Sequence, residues 1–168
     1  KLIHTIGVAH NRSLEDARNA YALGKNTLPS CPSYYAVYLG GDAPTPQKDI
    51  KRFTEAEAQD LANYAAKEAG DSCILVLNGP RTGKHDANLQ EIKTAHRDGQ
   101  LDHVTAAFKK QLENQVGAKR VHVIDFQFGQ NLPYNTFDLV LGALLENKGA
   151  ILVSGESTSV ISEAIDVL

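Results

Sequence analysis

The chain has 168 residues, 17 Lys and Arg against 20 Asp and Glu, a net charge of -3 and 42% hydrophobic residues. That length fits one domain with its own core, and the mild acidity gives no support to nucleic-acid binding, which shows a basic surplus. No apolar run reaches the roughly 18 residues needed to cross a bilayer. The opening Lys1-Leu-Ile-His-Thr-Ile has no signal-peptide anatomy. The chain contains no Met and reads as a domain cut from something longer. Cys31 and Cys73 belong to no metal-like or redox-like pair. Two reduced thiols in a cytoplasmic protein, peripheral at most to a membrane surface, is the expectation.

Apolar runs and helical segments then alternate. Leu2 to Ala9 reads as a strand, and Ser13, with Asp16 three residues on, opens a helix to about Leu23. Pro29 and Pro32 lead into Tyr34 to Leu39, a strand of aromatic and β-branched residues that ends in Gly40-Gly41-Asp42. Thr54-Glu-Ala-Glu57 is a capping box for a helix to Glu68. Ser72 to Leu77 is a second buried strand, ending in Asn78-Gly79-Pro80-Arg81-Thr82-Gly83. Asn88 to His96 and Asp102 to Val116 have helical spacing, separated around Gly99. Val121 to Phe126 is a third strand, Tyr134 to Leu145 a helix entered through Pro133, and Ala150 to Val153 a further strand. Beyond it, Ser157 or Thr158 stands at a cap position, with Val160, Ile161 and Ala164 at helical spacing. Nearly all-apolar strands alternating with helices predict an α/β, Rossmann-like, doubly wound parallel sheet covered on both faces. Such a sheet would continue past Leu168, so the chain reads as trimmed.

Ligands of open parallel sheets bind beyond the carboxyl ends of the strands. Three such ends carry small or polar loops here: Gly40-Gly41-Asp42, Asn78 to Gly83, and Ser154 to Ser157. Glycine allows close backbone approach, Arg81 and Lys84 offer positive charge to a phosphate, and the helix starting near Ser157 offers free amides. Any one of these loops could simply turn the chain; three at one sheet edge support a ligand. Gly79-Pro-Arg-Thr-Gly-Lys-His85 is not a P-loop, because only three residues separate its glycines and His85 replaces the magnesium-binding hydroxyl. Gly40-Gly41 lacks the third glycine of a dinucleotide fingerprint. His85 and Asp86 are adjacent in a loop, where side chains more often point apart than pair. The remaining histidines show no compact metal-ligand spacing, so no metal is expected. Glu163 stands six residues after Ser157, nearly opposite in helical angle, and the simpler reading is a solvated side chain.

Taken together, these motifs resemble the family of plant mitochondrial-fission "elongated mitochondria" proteins and their bacterial homologues, relatives of GT-B-type glycosyltransferases. The resemblance runs in order through Ile6-Gly-Val-Ala-His10, Val37-Tyr-Leu-Gly-Gly41, the strand from Ile74 to Arg81-Thr82, and Asn131-Leu-Pro-Tyr134 with one residue inserted. It is most specific in Val153-Ser-Gly-Glu-Ser-Thr-Ser-Val-Ile-Ser-Glu-Ala164. It implies that residues 31–168 correspond to a C-terminal, nucleotide-sugar-binding Rossmann domain of a GT-B fold, with 1–30 a linker strand and helix from the interdomain region. On that resemblance Gly40, Gly41, Arg81, Thr82, Ser157, Ser159 and Glu163 line the pocket of a nucleotide-diphosphate sugar, held without metal by amides and glycines. The sugar nucleotide is the substrate and no cofactor is implied. Two departures stand out: Glu156 replaces the family's Asp, and the usual Gly-Lys-Pro-Val run after Ser-Glu-Ala is absent. An N-terminal domain would supply the acceptor site and the catalytic base, so this domain alone would be inactive. The alternatives are a non-catalytic adaptor, as the plant relatives recruit a dynamin-type GTPase to mitochondria, and a domain for some other nucleotide.

Overall fold

The structure, a computed structural model, describes residues 10–47, 49–154 and 157–168. The predicted strand over residues 2–9, and Gly155 and Glu156 of the last motif, lie outside the described residues. Four parallel strands form one sheet in the order β5-β4-β1-β6, with β1 at Tyr34–Tyr38, β4 at Cys73–Leu77, β5 at Val121–Ile124 and β6 at Ala150–Val153. A two-residue antiparallel ribbon, β2 (Ala43–Pro44) with β3 (Ile50–Lys51), stands apart from it. The helices are α1 (Leu14–Gly24), α2 (Glu55–Glu68), α3 (His103–Val116), α4 (Thr136–Asn147) and α5 (Thr158–Val167). This is an α/β, Rossmann-like architecture, with helices packed on both faces of a parallel sheet.

The alternation of side chains along the central strands creates the two faces. Ala36 of β1 and Cys73, Leu75 and Leu77 of β4 pack with α1, α4 and α5. Val37 of β1 and Ile74 and Val76 of β4 pack with α2 and α3, around Phe108 and Leu112. Both central strands are therefore buried on both sides, while β5 at the edge is only half-buried. On the first face α1 and α4 approach closely because Gly142 of α4 lies against the Ala17 carbonyl, where a Cβ would collide. On the second face α2 presents the small side chains Ala58, Ala62 and Ala65 to the sheet. The helix starts follow their sequence signals: Ser13 with Asp16 and Thr54 with Glu57 close complete capping boxes, and Asp102 caps α3 by accepting from the Thr105 amide.

Three expectations are corrected. Residues 88–96 are not helical. Asp86 accepts from the amides of Asn88 and Gln90, the Ile92 amide bonds the Lys84 carbonyl, and Leu89 and His96 adopt positive φ. A short polar side chain has captured the backbone that a helix would need. The entry of α4 is capped by Asn135, whose side chain accepts from the Phe137 and Asp138 amides, two residues beyond the Pro133 start. Cys31 and Cys73 are not free thiols; they form a disulfide with their Cα atoms 6.1 Å apart. Parallel pairing sets Tyr34 opposite Cys73, which brings the loop before β1 within reach of the first residue of β4.

Chain order around the sheet fixes where a ligand can enter. From β1 the chain steps outward through β4 to β5, then returns past β1 to form β6. The crevice between β1 and β6 is thus the switch point, where the crossing helices part to opposite faces and leave the strands' carboxyl ends uncovered.

Candidate functional site

At that switch point lies a cleft of about 220 Å³ bounded by Tyr38 at the end of β1 with Leu39 and Gly41 just after it, Gly79 to Thr82 after β4, and Ser157 to Val160 at the start of α5. Gly41 permits the first two loops to meet: a Cβ there would stand 2.7 Å from the Arg81 Cβ, and the Asp42 amide bonds the Arg81 carbonyl at 2.9 Å. Ser157 makes no side-chain cap bond, and the first helical bond runs from the Ile161 amide to the Ser157 carbonyl at 3.0 Å. The amides of Thr158, Ser159 and Val160 therefore precede the helical ladder and face the cleft end of α5 with the positive end of its dipole. Arg81 is exposed and makes no ion pair among the described residues. Burial raises the pKa of the Tyr38 phenol, which the nearby Glu163 carboxylate reinforces, so its hydroxyl stays protonated and can donate. Glycine backbone, helix-start amides, one guanidinium and one phenol are donors suited to an anion.

Of the residues singled out in the sequence, Gly41, Arg81, Thr82, Ser157 and Ser159 line this one cleft. Gly40 is buried behind Gly41 and is not among its lining residues. Glu163 does not line it either: its carboxylate holds the Arg12 guanidinium at 2.8 Å. Arg12 also pairs with Asp138 and lies over the Phe137 ring, 5.1 Å from its centre. Through Arg12, Glu163 ties the entry of α1 to α4 and α5. Thr82 turns its hydroxyl inward, where it accepts from the Gly79 amide at 3.1 Å and sets the turn that carries Arg81. Tyr38 was missed in the sequence, because strand alternation assigns it to a face without telling that it ends beside a cleft.

Behind the cleft a buried polar network joins the loops after β4 and β5. The two Nδ2 hydrogens of Asn78 face three acceptors, Asp125 at 2.7 Å, Thr105 at 3.0 Å and Asp102 at 3.1 Å. The Asn78 Oδ1 accepts from the Phe126 amide at 2.7 Å. His96, 1% exposed, donates from Nε2 to the Thr82 carbonyl at 2.7 Å, and its Nδ1 lies 3.7 Å from Asp125. His96, Asp102 and Asp125 have ligand atoms within 4.8 Å of one another, a grouping that invites a cation. The Asn78 amide argues for hydrogen bonding instead. It directs N–H groups at both carboxylates, and the Phe126 amide fixes that orientation, because a flipped Asn78 would set donor against donor. Gly83 completes the fit, with positive φ and no room for a Cβ against the Asp102 side chain. No spacing in the sequence links Asn78, His96, Asp102 and Asp125; chain topology alone brings them together.

Another buried carboxylate, Asp42, pairs with His85 rather than leaving it to Asp86. Asp42 accepts from both the His85 amide and its Nδ1 at 2.9 Å and from the Phe53 amide at 3.0 Å. It thereby fastens the β1 loop to the β4 loop and to the chain entering α2.

Comparison with family models, with curated proteins and with solved structures finds no match to this chain. The fold and the cleft rest on the geometry above.

Proposed function

We propose that this domain binds the diphosphate of a nucleotide-diphosphate sugar in the cleft between β1, β4 and α5, as the donor half of a metal-independent glycosyltransferase-like protein. The observation that carries this reading is the convergence of three chemically matched loops on one cleft at the sheet's switch point, where, among the described residues, Arg81 has no ion pair and the α5 amides have no side-chain cap. A cleft of about 220 Å³ suits a diphosphate and part of its substituents, being smaller than the roughly 300–1,000 Å³ of sites that enclose a whole ligand. The remainder of the donor, the acceptor and the catalytic base fall to a facing N-terminal domain. An adaptor that had kept only the fold would be expected to fill this cleft with its own side chains, and the open cleft favours binding.

No helix among the described residues is long and apolar enough to cross a membrane. The cytoplasmic expectation drew on two reduced thiols; with Cys31 and Cys73 joined, an oxidising compartment is the one in which that bond persists.

Thermal denaturation with UDP, GDP, CMP and ADP tests the donor reading, since a ligand of the folded state raises the transition by mass action. The expected result is stabilisation by one nucleotide, lost in Arg81→Ala and Ser157→Ala. The absence of any shift at millimolar nucleotide overturns the reading.

A further inference from the structure

Beside the proposed donor cleft, and sharing Arg81 with it, lies a larger cavity of about 550 Å³ between the loop after β4 and the loop after β5. Arg81, Lys84, Lys93 and Arg97 line it, against Glu91 as the one acid among the lining residues. Glu91 is engaged by Lys84 at 3.6 Å. Among the described residues Lys93 and Arg97 pair with no carboxylate. The cavity thus carries a surplus of three positive charges in a chain whose net charge is -3. Cations brought together without counter-charge repel one another, and an anion seated among them relieves that repulsion.

The walls are held in place rather than left to drape. His96 forms the floor, fully buried, with positive φ. Its Nε2 bonds the Thr82 carbonyl, and its carbonyl accepts from the Phe128 amide at 2.9 Å. On the wall, the Arg97 guanidinium lies over the Phe128 ring at 4.6 Å. Phe128 stands edge-on to Phe126, and Phe126 to His96. A stacked guanidinium has fewer conformations to lose when it binds, so its site is preorganised for an anion.

We propose that this cavity is a second anion site, which takes the phosphate group of a small phosphorylated molecule next to the donor cleft. Occupancy by phosphate stands on the charge and geometry of the cavity alone; the role of that molecule as the acceptor of a transferred sugar rests on the donor reading above. Lys84, Lys93 and Arg97 contact the phosphate, and Arg81 lies between the two sites.

Calorimetric titration of the protein with inorganic pyrophosphate and with glucose 6-phosphate, at low ionic strength, tests the site. The comparison is between the native chain and the double variant Lys93→Gln/Arg97→Gln. Both substituted residues are exposed, and unchanged circular dichroism and melting establish that the variant folds. At least one probe is expected to bind the native chain and to bind the variant about tenfold or more weakly, with affinity falling as salt rises. Binding of whichever of UDP, GDP, CMP or ADP stabilises the chain is expected to differ by less than about twofold between the two proteins. Tighter binding of glucose 6-phosphate identifies an organic phosphate as the ligand, and tighter binding of pyrophosphate an inorganic one. Equal affinity of native chain and variant for both probes overturns the second site, as does the absence of binding to either. If none of UDP, GDP, CMP and ADP binds while a probe binds and is lost in the variant, the second site stands and the donor reading falls.

Discussion

The two ends of the sheet are built on opposite principles. At the amino ends of the central strands β1 and β4 the loops are tied together. The Cys31–Cys73 disulfide joins the loop before β1 to the start of β4, the Ser33 and Ser72 hydroxyls bond across the same gap at 2.8 Å, and Arg120 binds the carbonyls of Gly70 and Ser72. At the carboxyl ends the chain leaves groups unspent among the described residues: helix-start amides of α5 without a side-chain cap, the Arg81 guanidinium without an ion pair, and a cavity with excess positive charge. The loop after β4 is nonetheless firmly anchored from below by Asn78, His96 and Asp102. Rigidity without internal satisfaction of the outward-facing donors is what a binding surface needs, and the contrast is the one expected if the proposed binding falls at one end and stability rests at the other.

The contrast can be broken most severely at Asn78. Its replacement by Ala leaves the buried Asp102 and the half-buried Asp125 without their shared donor and strands the Phe126 amide, so a loss of about 3–5 kcal/mol is expected, measured as a fall in the urea midpoint. Because that network also floors the cavity, binding at the carboxyl end should fail with it. Removing the disulfide by Cys31→Ser/Cys73→Ser should lower stability by about 3–4 kcal/mol, given a sequence separation of 42 residues. At equal occupancy of the folded state that variant should keep its nucleotide affinity; a large loss of affinity would show that the two ends are not independent.

Smaller effects sharpen the comparison. Thr54→Ala removes a complete capping box and should cost about 1 kcal/mol. Ser157→Ala, at a start with no side-chain cap bond, should cost no more than about 0.5 kcal/mol and act on ligand binding instead. Arg81→Ala should likewise leave stability within about 0.5 kcal/mol while weakening nucleotide. The same denaturation curves, with and without ligand, check all three. Last, burial holds the His122 imidazole on β5 below its ordinary value of 6.5. The folded chain then binds that proton more weakly than the unfolded chain. Its contribution to stability is complete above about pH 6.5 and declines as the pH falls through and below that value. His122→Gln should flatten this part of the stability profile.

Much of this was legible in the chain. Ser13 with Asp16 and Thr54 with Glu57 announce helices because a cap is satisfied by residues three apart. Tyr34 to Tyr38 and Cys73 to Leu77 announce buried strands because both of their faces are apolar. Residues 88–96 misled, since helical spacing cannot foresee that Asp86 will capture the following amides. The disulfide was also unreadable, because a gap of 42 residues in sequence is closed only by the parallel register of β1 on β4.

The alternation of strands and helices outside residues 88–96, the capping boxes at Ser13 and Thr54, and the three glycine- and serine-containing loops that a parallel sheet sends to one edge could be read from the chain, because these depend on interactions within a few residues. Tertiary structure decided the rest. It set Gly41, Arg81 and Ser159 around one cleft and drew Glu163 away to Arg12. It also assembled Asn78, His96, Asp102 and Asp125 beneath a basic cavity that no local pattern records. The physical reason is the order of strands in the sheet: only when β6 returns to the far side of β1 do loops more than a hundred residues apart in sequence face one another.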